Sequence, residues 1–152
     1  MQEIWMKAAL ELAHQAAREG EVPVGAVIVK KGQIIGSGYN RREMDQNPIA
    51  HAEVLAVLSA ASAEGSWRLV DCELYVTLEP CPMCLAALQQ ARVAKVFYGA
   101  IDLKGGALSL GYKLHEDMRT NHRFPVELLE SSECEKVLKD FFRERRIEKK
   151  RV

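Results

Sequence analysis

Two cysteines, Cys81 and Cys84, stand three residues apart in TLEPCPMCLAAL, and a histidine and a glutamate, His51 and Glu53, stand two apart in PIAHAEV. Imidazole nitrogen and thiolate sulfur are the donors zinc prefers, and residues i and i+3 of a helical first turn share one face. Cys81 and Cys84 can therefore reach one ion, with His51 as third ligand. Three protein ligands leave a fourth position open for water, the pattern of hydrolytic zinc, and Glu53 supplies the proton carrier that such chemistry needs beside it. Both motifs fall where a loop or strand gives way to a helix. Free N–H groups and the positive end of the helix favour thiolates there.

Two other uses of the cysteines compete with this reading. A closed, structural zinc site needs a fourth ligand from Cys72 or Cys134. If residues 73 to 79 form a strand, it spans roughly 20 Å and leaves Cys72 at its far end. Cys134 belongs to the final helix, and both residues read as small core side chains. A redox dithiol leaves His51 and Glu53 without a role. His14 and His115 have no partner motif and read as surface or packing residues.

Composition bounds what surrounds the site. The chain has 152 residues, 48% of them hydrophobic, and a formal net charge of zero, so a single domain over 1–152 with a substantial core is expected, and disorder is not. Any affinity for a polyanion must come from local patches. No apolar run is long enough to span a bilayer, and MQEIWMKAALELAHQ breaks its apolar residues with acidic and polar ones, unlike a secretory leader. A cytoplasmic protein is expected. A reducing compartment also favours metal binding over a structural disulfide.

The elements that must position the motifs follow from periodicity. Trp5, Ala9, Leu12 and Ala16 recur at helical spacing before Gly20, and VGAVIVKKGQIIGSG gives two β-rich runs around a Lys31-Gly32 turn. AHAEVLAVLSAASAEG predicts a helix, CELYVTLE a strand, and CPMCLAALQQAR a helix opened by Pro80. KVFYGA and PVELLE predict strands, and a basic helix runs from about 133 to 150. The order α-β-β-α-β-α-β-β-α predicts an α/β sheet with helices on both faces.

With these residues in view, HAE at 51–53 followed by TLEPCPMC at 77–84 resembles the zinc-dependent nucleoside and nucleobase deaminases. EVPVGAVIV, GYN at 38–40, DLKGGA at 102–107, NHR at 121–123 and DFFRERR extend the resemblance over nearly the whole chain, to the bacterial tRNA-specific adenosine deaminases. The resemblance implies a three-layer α/β/α cytidine deaminase-like fold around a mixed five-stranded sheet. It also implies a homodimer, one Zn2+ per subunit, and conversion of the wobble adenosine of a tRNA anticodon to inosine. Residue by residue it makes Glu53 the proton shuttle and Asn40 a ligand of the target base, with backbone N–H groups near Ala52 and Cys81 also in contact. Asp102, Lys104, His122 and Arg123 are then expected to meet the flanking nucleotides of the anticodon arm. Residues 108–120 match no familiar motif. Pro82 also occurs in relatives acting on free bases, so a guanine or cytosine deaminase is the competing enzyme. A non-catalytic RNA-binding zinc module is a third reading, which an intact Glu53 opposes. The final helix is the densest basic cluster, and Phe141 and Phe142 are expected to anchor it on the core.

Overall fold

The computed structural model describes residues 1–151. Helix α1 (Gln2–Arg18) buries Met6, Ala9, Leu10, Ala13 and Ala16. Ala9 and Ala16 of the expected stripe are among them, while Trp5 and Leu12 are half-buried at its margins. Strands β1 (Gly25–Lys30) and β2 (Gln33–Tyr39) are joined through Lys31 and Gly32, both at positive φ (50° and 72°), the backbone a tight hairpin turn requires. Then follow α2 (Ala52–Glu64), β3 (Glu73–Val76), α3 (Pro82–Gln90), β4 (Lys95–Tyr98), β5 (Val126–Leu128) and α4 (Ser132–Lys150). A short 3-10 turn at Leu114–Glu116 lies within the stretch that matched no motif.

The sheet order is β2-β1-β3-β4-β5, with β1 antiparallel to both neighbours and β3, β4 and β5 mutually parallel, so the sheet is mixed. Alternation along each central strand divides the core in two. Ala26, Ile28, Leu74, Val76, Val96 and Tyr98 face α2 and α3, while Val27, Val29, Tyr75 and Phe97 face α1 and α4. Tyr75 and Phe97 stack with ring centroids 4.9 Å apart. This is the expected three-layer α/β/α arrangement.

Some elements are bounded or anchored otherwise than predicted, β4 and β5 being shorter than KVFYGA and PVELLE. β3 stops at Val76 because the next residues leave the regular ladder: Thr77 N–H still donates to Gly25 O, but Glu79 N–H donates to Ala100 O as the chain turns toward α3. Pro82, not Pro80, is the first residue of α3, and Cys81 occupies its N-cap position. A proline there gives up only an N–H that the helix would leave unpaired. Phe142 is 44% exposed, so α4 is anchored on the core by Cys134 and Val137 instead, with Phe141 half-buried beneath the Arg145 guanidinium.

Helix α2 sits on β2 with almost no spacer. A Cβ on Gly38 would lie 2.6 Å from Ala52 O and 2.7 Å from Ala56 N, both backbone atoms that cannot yield without moving the helix. Gly38→Ala is therefore expected to destabilise the fold by about 1–3 kcal/mol, read as a lower urea midpoint at unchanged slope.

Candidate active site

His51 and Cys81 are the N-caps of α2 and α3, and both have extended backbone. Neither side chain caps its own helix, so each is free to point elsewhere and each helix keeps uncapped first-turn N–H groups. Cys84 follows in the first turn of α3. His51 Nδ1 lies 3.7 Å from Cys81 Sγ and 3.5 Å from Cys84 Sγ. All three donor atoms fall within 4.8 Å of one another. A tetrahedral zinc with ordinary bond lengths would separate its nitrogen and sulfur ligands by about 3.6 Å, so the two nitrogen–sulfur edges of the triangle already match. Cys84 is buried, whereas His51 and Cys81 are half-buried, leaving one side of the triangle open.

The electrostatics of the triangle call for a cation. A hydrogen bond from Cys84, helped by His51, brings the Cys81 thiol down to about 4, while that same bond and burial drive Cys84 far upward. Left to themselves the two sulfurs thus hold one negative charge, and only a bound cation would let both serve as thiolates. The hydrogen bond to Cys81 likewise raises His51, favouring a proton at the position a metal would take. Burial pushes the Glu53 carboxyl up to about 7, and the negative charge on Cys81 adds to the shift.

The triangle opens on a cavity of about 180 Å³ lined by Val22, Val24, Asn40, Arg42, His51, Ala52, Glu53, Leu78, Glu79, Cys81 and Asp102. Asn40, Ala52, Glu53 and Asp102 are therefore brought together with two of the three ligands. Asn40 is oriented at both ends: its Nδ2 donates to Val22 O (3.2 Å) and its Oδ1 accepts from Arg42 N–H (3.2 Å). Asp102 Oδ1 accepts from the N–H groups of Lys104 (3.3 Å) and Gly105 (3.0 Å), which folds the rim loop on itself. Lys104 itself is exposed outside the cavity.

His122 and Arg123 are not part of this cavity. His122 stacks on Phe124, with centroids 5.5 Å apart, and its Nε2 lies 2.6 Å from Val93 O, to which it can only donate. It lines a separate groove with Gln89, Gln90, Arg92 and residues 119–121, and Arg123 donates to Thr120 O. Cys72 and Cys134 are fully buried, and neither joins the metal-ligand group. His14 is exposed and His115 is buried beside Phe124.

Sequence reasoning missed several contributors. Arg42 lines the cavity without any motif to mark it, and Val22 and Leu78 line it from within EVPVGAVIV and TLEPCPMC, where no role had been given them. Glu79 lines it while 3% exposed, and Glu21, 1% exposed, accepts from the N–H groups of Glu43 (3.1 Å) and Met44 (2.7 Å), fixing the loop that carries Arg42. The signal that could have found the two acids was a glutamate embedded in each apolar run, in GEVPVGAV and VTLEPC.

Comparison with known proteins agrees with this geometry. The family profile described as MafB19-like deaminase matches residues 1–146. A tRNA-specific adenosine deaminase of Bacillus subtilis (strain 168) is 48% identical over 150 residues, covering 97% of this chain and 92% of that protein. A solved structure from work on A-to-I editing by tRNA:A34 deaminases at the wobble position of transfer RNA aligns with a TM-score of 0.84 at 39% identity, over 90% of this chain and 99% of that one. The guanine deaminase of Bacillus subtilis aligns less well, with a TM-score of 0.64 at 34% identity over 93% of each chain. Fold, ligand triangle and full-length similarity together lead to one assignment: the chain belongs to the tRNA-specific adenosine deaminases, within the MafB19-like deaminase family.

Proposed function

We propose that this protein hydrolytically deaminates adenosine to inosine at the wobble position of a tRNA anticodon, as a cytoplasmic homodimer holding one zinc ion per subunit. The observation that carries the choice of substrate is the joining of two cavities. The small one beside His51 and Glu53 has room for about one base. Val22, Asn40 and Arg42 also line a larger groove of about 590 Å³ whose far wall is Phe141, Phe142, Arg145 and Lys149 of α4. A free base needs only the first. A strand with one base turned inward needs both, with cationic and aromatic side chains along the second.

In this reading His51, Cys81 and Cys84 hold the ion, which supplies the Lewis acidity that makes water nucleophilic near neutral pH. Glu53 would take a proton from the attacking water as its oxygen bonds to C6 and pass that proton to the purine ring nitrogen; the second water proton, relayed by the same carboxyl, would go to the C6 amine as the C6–N bond breaks and ammonia leaves. Its buried position keeps the carboxyl close to neutrality, so it can both accept and return the proton. Asn40, held by Val22 O and Arg42 N–H, retains one N–H and one lone pair for the edge of the base. First-turn N–H groups near Ala52 and Cys81 complete the base site. Asp102 forms the rim and Lys104 is free to meet a phosphate. His122 and Arg123 meet the arm farther from the reacting base.

The deaminase domain in this reading takes in 1–152, with the basic helix as its RNA-binding end. Exposed Ile101, Leu103, Leu110, Tyr112 and Met118 support the homodimer: Leu103 is 79% and Met118 80% exposed, as expected of a surface that a second copy covers.

Three measurements test the proposal. An adenosine-containing anticodon stem-loop is expected to yield inosine, whereas adenosine, guanine, cytosine and cytidine release no ammonia; turnover of a free base with the stem-loop untouched would overturn it. Glu53→Ala is expected to keep its zinc and lose at least about 10³-fold in kcat, while Cys81→Ala and Cys84→Ala lose the metal itself, both checked by metal analysis beside the inosine assay. Within α4, Asp140 is already paired with Lys136 (2.6 Å) and Arg143 (3.1 Å), and Arg145 donates to Gly20 O. Truncation after Phe142 removes the basic residues from Arg143 to Arg151 and is expected to weaken stem-loop binding. The slope of log affinity against log salt should become shallower by roughly 0.7 for each phosphate that the tail no longer neutralises, and an unchanged slope would assign the tail to the solvated surface.

A further inference from the structure

Glu79 precedes Pro80 and Cys81, so whatever holds its side chain also holds the turn that presents a metal ligand. The carboxylate is 3% exposed, and no cation approaches it within ion-pair distance among the described residues. It is satisfied entirely by the loop after β4. Oε1 accepts from Asp102 N–H (3.1 Å) and from the Ser109 hydroxyl (2.7 Å), and Oε2 accepts from Ser109 N–H (2.8 Å). A fourth bond, Ala107 N–H to Pro80 O (2.8 Å), fastens the same loop to the residue beside Glu79. Between these points Gly106 passes so close that a Cβ there would overlap Oε2. The loop therefore wraps the carboxylate from its two ends, and its first residue, Asp102, is the cavity rim.

The geometry points to Glu79 as a positioning residue for deamination: its buried carboxylate clips the 102–109 loop to the Cys81 turn and so fixes Asp102 against the base cavity. N–H and O–H donors take three of its four lone-pair directions, and Gly106 crowds Oε2 where the fourth lies, which separates its work from that of Glu53 in the same cavity. The charge and symmetry of the group matter as well as its size. A glutamine in its place turns an NH2 toward either Asp102 N–H or Ser109 N–H, so one donor always faces another. Ser109→Ala, by contrast, removes a single bond and leaves both backbone donors satisfied.

This inference rests on the adenosine deaminase reading for its kinetic consequence but not for its structural one, and the test keeps the two apart. Hydrogen exchange of the zinc-loaded protein is expected to show the Asp102 and Ser109 amides exchanging at least about tenfold faster in Glu79→Gln, with exchange in α2 and zinc content unchanged. On the anticodon stem-loop, Glu79→Gln is expected to lose about tenfold or more in kcat/KM, carried by KM, and Ser109→Ala a few-fold. In an Asp102→Ala background the Glu79→Gln loss should largely vanish, because both substitutions act through the same loop. Unchanged amide exchange in Glu79→Gln overturns the clip, and full additivity with Asp102→Ala overturns its action through the rim. If Glu79→Gln does not fold, Ser109→Ala decides both points by the same two readouts. If the wild-type protein leaves the stem-loop untouched while the amides behave as described, the substrate assignment fails and the clip stands.

Discussion

The structure depends on bringing the N-termini of two helices to one point. Each helix end carries partial positive charge and unpaired N–H groups, so placing two of them together is unfavourable unless something anionic lies between. The Cys81 thiolate supplies that anion, and a cation held by His51, Cys81 and Cys84, as proposed, would let both sulfurs carry the charge. Ligand triangle and helix placement are therefore one constraint. The sheet enforces it, because α2 lies almost directly on Gly36 and Gly38 of β2, and α3 is set by the parallel β3–β4 connection.

Around that point the protein uses buried carboxylates in two ways. Glu21 and Glu79 are surrounded by backbone donors and hold the two loops that border the cavity, 41–46 and 102–109. Glu53 is instead dominated by burial, which lifts its carboxyl to about 7. In the proposed reading the same side chain thus anchors a loop where N–H groups converge on it and carries a proton where burial prevails.

The ligand set, Glu53 and the layered fold were legible because their signals are local. The spacing of Cys81 and Cys84, the His51–Glu53 pair and the alternation of the strands each need only a few consecutive residues. What escaped depends on contacts between distant residues. Glu79 meets Ser109, 30 positions along the chain, and Glu21 meets Glu43 and Met44, 22 and 23 positions away. Read alone, each is an ordinary loop acid. The NHR motif is a different case: His122 stacks on Phe124, bonds Val93 O and lies outside the base cavity, a placement that depends on contacts with distant residues. In α4, the Phe141-Phe142 pair looked like core because of its type, but amphipathic placement left Phe142 to line a groove.

Sharing Val22, Asn40 and Arg42 between the base cavity and the outer groove has a consequence for how this enzyme can change. In the proposed reading, a substitution that reshapes the cavity for a different base would also alter the wall along which the strand would lie, and one that loosened the grip on the strand would disturb the amide proposed to orient the base. Choice of base and choice of polymer are then coupled traits. Substitutions that adapt the protein to a new nucleic acid would have to arrive in compensating sets, and their effects measured one at a time would not predict the combination.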